Sequence, residues 1–222
     1  DTDTLLNLVL VGENVIKGKG GIRAHGLNIS GTGSLQITAT DFEGIASFGQ
    51  SGGKLTIGSD VDITAMNGCA IIFGGVCIEN GATVKAECLY GGIDCHDLTI
   101  DSATEVNLES TGERYNAICA HRDNDGTVAG TANIKNSKLV LKSAYPAFYA
   151  ADEIEINGGS VEAASTSDAG IFTGGKLSIT DADIDAAGYY FGIGSNGAME
   201  MTGGKLKAVG QKNGVSIRNS LT

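Results

Sequence analysis

The stretch GIFTGGKLSITDADIDAAGYYFGI, residues 170–193, decides the fold, because it begins and ends on the same dipeptide of a small residue followed by Ile. The dipeptide recurs along the whole chain, mostly at intervals of 22 or 23 residues. Its nine instances are Gly21-Ile22, Gly44-Ile45, Ala70-Ile71, Gly92-Ile93, Ala117-Ile118, Ala147-Phe148, Gly170-Ile171, Gly192-Ile193 and Gly214-Val215. A repeat of this length is typical of a solenoid, in which each repeat adds one coil.

Two short alternating segments precede each dipeptide. In the quoted stretch they are Leu177-Ser-Ile179 and Ile184-Asp-Ala186. Alternation with period two is typical of β-strands. Glycine-rich turns such as Thr173-Gly-Gly and Thr202-Gly-Gly separate the segments, and glycine supplies positive φ at little cost. Each repeat therefore predicts strand, turn, strand, turn, short strand and turn.

This layout predicts an all-β protein, a parallel β-helix of about nine coils of about 22 residues with three strands per coil. No segment has an apolar period of 3.6 residues, so we expect no helix. The 222 residues include 34 Gly and 1 Pro, which fits ordered turns rather than a disordered segment. We expect one domain over residues 1–222, with coils from about residue 8 to residue 218.

The repeats, together with the phrases LNISGTGSL (residues 27–35) and GGKLSI (residues 174–179), resemble the right-handed β-helices of the pectin-lyase-like superfamily. More narrowly, they resemble β-helix repeat proteins that anaerobic bacteria display on their surface and that are often described as carbohydrate-binding. This resemblance implies a right-handed coil, an extracellular or cell-surface location, a polysaccharide or glycan partner, and flanking domains of a larger surface protein. A fold hosts many functions, so the residues themselves must identify a site.

The charge of the chain restricts its partners. The formal net charge is −11 at pH 7, which argues against nucleic acid and against an anionic membrane surface. It also disfavours an acidic polysaccharide such as pectin, unless calcium bridges the two. No apolar run approaches the length needed for membrane insertion.

Aromatic residues recur at fixed positions of the repeat. Three residues before the Ile stand Phe42, Tyr90, Tyr115, Tyr145 and Tyr190, and one residue after it, on the outward face, stand Tyr149 and Phe172. Sugar rings stack on such side chains. The candidate ligand-binding residues are therefore Tyr90, Tyr115, Tyr145, Tyr149, Phe172 and Tyr190. The alternatives are that the rings cap turns or fill the interior, or that the apolar strip contacts protein.

His96 and His121 share one position on successive coils and should lie about 5 Å apart. One hypothesis is a transition-metal site completed by a carboxylate or thiolate. The other, which we favour, is a pair of imidazoles at a turn, one bonded to a backbone carbonyl. We expect no metal and no cofactor.

The five cysteines are predicted to be mostly free thiols, with Cys77 and Cys119 pointing outward and Cys95 inward. The alternative is a disulfide between Cys88 and Cys95. Asp123-Asn-Asp-Gly126 is interpreted as a surface turn rather than a calcium loop. The alternating Asp181, Asp183 and Asp185 are predicted to point the same way from one strand; they could hold Ca²⁺, but we expect a solvated face.

Catalysis is not expected. The first-strand face carries Glu155 and Glu200 two coils apart, roughly 10 Å, with no Arg beside them and no carboxylate cluster for Ca²⁺. We therefore expect a non-catalytic, extracellular, polysaccharide-binding module. The alternatives are a stalk or adhesion segment of a surface protein and a degenerate polysaccharide lyase.

Overall fold

The computed structural model describes residues 4–49, 52–121 and 128–219. These residues form 25 β-strands that stack in parallel into a solenoid, and none of them is helical. The described part of the chain thus has no helix long and apolar enough to cross a membrane. The predicted all-β parallel β-helix with three strands per coil is confirmed.

The strands line three faces of the solenoid. The first face contains β1 (Leu5–Leu10), β4 (Gly26–Gly31), β7 (Lys54–Ile57), β10 (Gly75–Ile78), β13 (Asp97–Asp101), the first parts of β16 (Thr131–Ser143) and β18 (Glu153–Ser165), β20 (Lys176–Thr180) and β23 (Met199–Thr202). The second face contains β2 (Glu13–Gly18), β5 (Ser34–Ala39), β8 (Asp60–Ala65), β11 (Thr83–Cys88), β14 (Glu105–Ser110), the later parts of β16 and β18, β21 (Asp183–Gly188) and β24 (Lys205–Gly210). The third face contains β3 (Ile22–Arg23), β6 (Ile45–Ala46), β9 (Ile71–Ile72), β12 (Ile93–Cys95), β15 (Ile118–Ala120), β17 (Phe148–Ala150), β19 (Ile171–Thr173), β22 (Phe191–Ser195) and β25 (Asn213–Ile217).

The register of the third face confirms the alignment of the repeats. Each residue that follows the small residue of a dipeptide pairs with its equivalent on the next coil, from Ile22 with Ile45 through to Ile193 with Val215. Nine strands therefore stack on this face, one from each predicted coil. Insertions between the dipeptides change the loops and leave this pairing intact.

The core is the inside of the coils. Most inward residues of the three faces are Ile, Leu, Val and Ala, and Ile171 and Ile193 have no exposed surface. Burying an aliphatic side chain of this size stabilises the fold by about 1.5–3 kcal/mol. Because every coil repeats this burial, one continuous core runs along the rod.

Two corners show different uses of glycine. In β18 the chain turns from the first face to the second at Gly158 and Gly159, whose φ angles are 72° and 76°. Gly174 and Gly175 were expected to supply positive φ as well, but they do not. A Cβ atom on Gly175 would lie 1.9 Å from the carbonyl oxygen of Asp152, so glycine is required there for close approach between coils.

Two predictions need correction, and a third concerns residues that the structure does not describe. The first strand begins at Leu5, before the expected start near Leu8. Asp181 does not share a strand face with Asp183 and Asp185, because it lies at the preceding corner with a φ of 49°. The segment Asp123-Asn-Asp-Gly126 lies outside the described residues.

Candidate functional site: an aromatic groove

The outward row of the third face is largely apolar in its middle coils. Ile72, Asp94, Cys119, Tyr149 and Phe172 follow one another in register on successive coils. Cys119, Tyr149 and Phe172 are all half-buried, as is Ile72. The sequence prediction that this row faces outward and is largely apolar is confirmed. The register of the row brings Tyr149 directly beside Phe172.

The rings of Tyr149 and Phe172 form a nearly parallel pair. Their centroids are 6.2 Å apart and their planes differ by 11°. The next residue in the row is Gly194, and a Cβ atom there would come within 2.6 Å of Cδ2 of Phe172. The missing side chain at residue 194 therefore makes room for the Phe172 ring.

Tyr145 lies at the corner between the second and third faces. Ser143 ends the inward row of β16, and its Oγ donates to the carbonyl oxygen of Tyr145 at 2.6 Å. On the neighbouring coil, Nδ2 of Asn116 donates to the carbonyl oxygen of Pro146 at 2.6 Å. These two bonds fix the backbone on both sides of the Tyr145–Pro146 peptide, while the Tyr145 side chain is 46% exposed.

A surface groove of ≈ 520 Å³ joins these side chains. Its described lining residues are Asn116, Cys119, Tyr145, Pro146, Tyr149, Asp168 and Phe172. They belong to three successive coils, which span about 10 Å along the rod. The structure thus brings together three of the six predicted site residues, namely Tyr145, Tyr149 and Phe172.

Asp168 provides the carboxylate of the groove. It occupies the coil position that Tyr145 and Tyr190 hold on the adjacent coils, three residues before Ile171. Burial raises the pKa of the Asp168 carboxyl, and a hydrogen bond from the backbone N–H of Ala169 partly opposes this shift. Asp168 has no ion-pair partner among the described residues.

The other three predicted aromatic residues lie outside the groove. Tyr90 and Tyr115 contact each other on successive coils with centroids 4.7 Å apart, and both are exposed. Tyr190 belongs to a separate cluster, in which its ring lies 5.0 Å from that of Tyr189 and 4.3 Å below Nζ of Lys212. The coil of Asp168 separates this cluster from Tyr145, so the aromatic row is interrupted.

Sequence reasoning missed Asn116, Pro146 and Asp168. The signal for all three was the repeat alignment itself, since each precedes the Ile position of its coil by two or three residues. The aromatic residues at that position predicted a sugar-binding site, but the sequence pattern does not distinguish the polar residues that lie beside them.

The histidine pair matches the interpretation we favoured. The ring centroids of His96 and His121 are 4.6 Å apart, and Nδ1 of His96 bonds the carbonyl oxygen of His121 at 2.8 Å. Nε2 of His121 lies 2.7 Å from Oδ1 of Asp94. Within the described ranges, no three His, Cys, Asp or Glu side chains are placed to hold a metal ion.

The five cysteines are free thiols, and Cys88 and Cys95 do not form a disulfide. Cys77 and Cys119 point outward and Cys95 inward, as predicted. Burial raises the pKa of the Cys119 thiol to about 12. Cys119 therefore enters the groove as a neutral side chain.

Two other grooves are lined by several charged residues. These grooves, of ≈ 480 and ≈ 460 Å³, lie on the second face. In the groove of ≈ 460 Å³, Asp183 pairs with Lys205 at 3.3 Å. In the same groove, Asp185 pairs with Lys207 at 2.8 Å. On the first face, Glu200 pairs with Nζ of Lys176 at 2.8 Å. Among these grooves of the described residues, the aromatic groove alone has parallel aromatic rings in its wall.

The chain matches no family model, no curated protein and no solved structure with which it was compared.

Proposed function

We propose that this chain is a non-catalytic, extracellular module that binds polysaccharide in the aromatic groove. The observation that carries the proposal is the parallel pair of Tyr149 and Phe172 rings beside the exposed ring of Tyr145. The apolar C–H face of a sugar ring stacks on aromatic rings, and its hydroxyl groups need polar partners. Asn116 and Asp168 supply such partners within the same groove.

The spacing of the coils supports an extended ligand. Successive coils are about 4.8 Å apart, which is close to the length of one sugar unit in an extended polysaccharide. The groove crosses three coils and would hold about two sugar units along the rod. The exposed pair of Tyr90 and Tyr115 lies on the same edge and would contact a longer chain.

The resemblance of the repeats to right-handed β-helices of the pectin-lyase-like superfamily agrees with this proposal. The resemblance to surface-displayed repeat proteins of anaerobic bacteria supports the proposal of an extracellular location beside other domains of a surface protein. The net charge of −11 supports a glycan rather than nucleic acid or an anionic membrane as the partner.

The absence of a catalytic role is part of the proposal. On the first face Ser178 separates Glu155 from Glu200 in register, and Lys176 neutralises Glu200. Two carboxylates that are two coils apart lie roughly 10 Å from each other, beyond the spacing of about 6.5–9.5 Å used by inverting glycosidases.

The second candidate is a stalk or adhesion segment, and one observation favours it. Leu5, Leu6, Val9 and Val11 of the first coil are 46–78% exposed. Exposed apolar residues along a strand edge are suited to contact another protein surface. In this case the aromatic groove would bind no glycan.

A glycan array tests the two candidates directly. The wild-type protein should bind at least one class of polysaccharide, and the double variant Tyr149→Ala/Phe172→Ala should lose that binding. Phe42→Ala is the matched control, since Phe42 is an exposed aromatic residue at the coil position of Tyr145 but lies far from the groove. If no glycan binds the wild-type protein, the stalk becomes the better proposal.

A further inference from the structure

The aromatic groove carries an unbalanced negative charge. Of its described lining residues, Asp168 alone is ionised at neutral pH, because Cys119 keeps its proton and the others are uncharged. None of these lining residues is Lys or Arg. The next outward residue of the third face before Cys119 is Asp94, which lies outside the groove and against His121. The groove is therefore electrostatically suited to a ligand that is positively charged.

The position of Asp168 makes it available to a ligand. Its backbone is fixed, since its N–H donates to Oγ of Ser165 at 3.0 Å and its carbonyl oxygen accepts from the N–H of Tyr190 at 3.1 Å. The N–H of Ala169 bonds the carboxylate, and no cation among the described residues neutralises it. A partly buried carboxylate that already has its backbone fixed forms strong charge-assisted hydrogen bonds with an incoming donor.

We propose that Asp168 makes the groove selective for glycans that contain a cationic amino sugar, with the sugar ring stacked on Tyr149 and Phe172 and its ammonium group bonded to the Asp168 carboxylate. This inference rests on the proposed function and names the ligand class of the same site. An acidic sugar would place its carboxylate beside Asp168 and would be repelled. An N-acetylated sugar keeps the stacking surface and loses the charge.

Calorimetry with matched oligosaccharides tests this selectivity just below neutral pH, where the amino group carries its proton; a lower pH is avoided because the pKa of Asp168 is raised and its carboxylate would be protonated. The ligands are a glucosamine oligosaccharide, its N-acetylated counterpart of the same length and an oligogalacturonate. The wild-type protein should bind the glucosamine oligosaccharide about three- to tenfold more tightly than the acetylated one. The isosteric change Asp168→Asn should abolish this difference and leave affinity for the acetylated ligand unchanged.

A charge-matched control separates the site from the overall charge of the protein. Glu87→Gln removes one negative charge from an exposed position on the second face and should leave the preference intact. Equal loss in Glu87→Gln and Asp168→Asn, or equal affinity of the wild-type protein for the first two ligands, would overturn the inference while the binding function stands. If none of these ligands, nor any glycan on the array, binds the wild-type protein, the proposed function itself is wrong.

Discussion

The ring of Phe172 lies against Gly194 of the neighbouring coil, where a Cβ atom would come within 2.6 Å of Cδ2 and 3.1 Å of Cε2. Gly194 does not have positive φ, so its backbone conformation does not require glycine. Its missing side chain instead gives the ring the space in which it lies nearly parallel to Tyr149. The small residue is therefore part of the groove, although it is not among its lining residues.

Gly194→Ala should displace the Phe172 ring and weaken binding without unfolding the protein. The three atoms nearest the new methyl group belong to the rings of Phe172 and Phe191 and not to the backbone, so the Phe172 ring can rotate at a cost of about 0.5–1.5 kcal/mol. We expect a melting temperature close to that of the wild type and a several-fold loss of glycan affinity. Calorimetry and thermal unfolding on the same sample measure both.

Gly192→Ala is the matched control for this variant. A Cβ atom at residue 192 would lie 2.5 Å from the backbone nitrogen of Val209 and 2.7 Å from the carbonyl oxygen of Ala186. Because backbone atoms cannot rotate away, this change should destabilise the fold by about 1–3 kcal/mol or more. Equal stability losses in the two alanine variants would show that the Phe172 ring is not free to move.

Tyr145→Ala and Tyr149→Ala should each weaken polysaccharide binding by about 1–2 kcal/mol, through lost stacking and lost burial. Tyr145→Ala should leave the free energy of unfolding nearly unchanged, because its ring is exposed, whereas the half-buried Tyr149 should contribute somewhat more to stability. Affinity electrophoresis and chemical unfolding measure the two quantities.

Glu155→Gln serves as the control for these two changes. Glu155 lies in the first part of β18, on a different face from the groove, and its loss should alter neither binding nor stability. A stability loss of several kcal/mol in Tyr145→Ala would mean that this ring belongs to the core and is not available to a ligand in the aromatic groove.

The sequence determined the coil alignment because the inward positions repeat a simple physical requirement. Each coil needs a large apolar residue such as Ile118 or Ile171 at the same point of the interior, and only a small residue fits before it. Counting from that position predicted the outward row that contains Tyr149 and Phe172. The spacing of the repeats was sufficient for this, since parallel strands stack without any shift in register.

The groove itself could not be read from the same count. The position three residues before the Ile holds Tyr145 on one coil and Asp168 on the next, and a repeat does not reveal which side chains converge. Tyr190 shares that position but turns toward Tyr189 and Lys212 on the far side of Asp168. Side-chain direction at a corner depends on local bonds, such as that from Asn116 to Pro146, which the sequence pattern does not predict.

Ile71→Asp should unfold the domain, because Ile71 has no exposed surface and an unpaired carboxylate inside the coil costs several kcal/mol. Ile72, the next residue, lies on the opposite side of the strand, so the same substitution there is the matched control. Ile72→Asp places the carboxylate in the outward row, so this variant should remain folded. Circular dichroism and thermal unfolding distinguish the two, and similar melting temperatures would show that the inward assignment is wrong.

Alkaline pH should destabilise the protein through its buried thiols. Burial raises the pKa of the Cys88 thiol from its ordinary value of 9.0 to about 12, so the folded state holds this proton more tightly than the unfolded state does. The stability associated with that proton is fully present below pH 9 and is lost as the pH rises toward 12. One such thiol lowers the free energy of unfolding by about 1.4 kcal/mol for each pH unit within this window.

Cys88→Ala isolates this contribution from that of the other titrating groups. The variant should be less stable than the wild type at pH 8, because a buried sulfur atom is lost, but its stability should fall less steeply above pH 9. Urea unfolding at intervals between pH 8 and pH 11 gives both slopes. Parallel slopes would mean that Cys88 ionises equally well in the folded and unfolded states, and that its inward position at the end of β11 is not shielded from water.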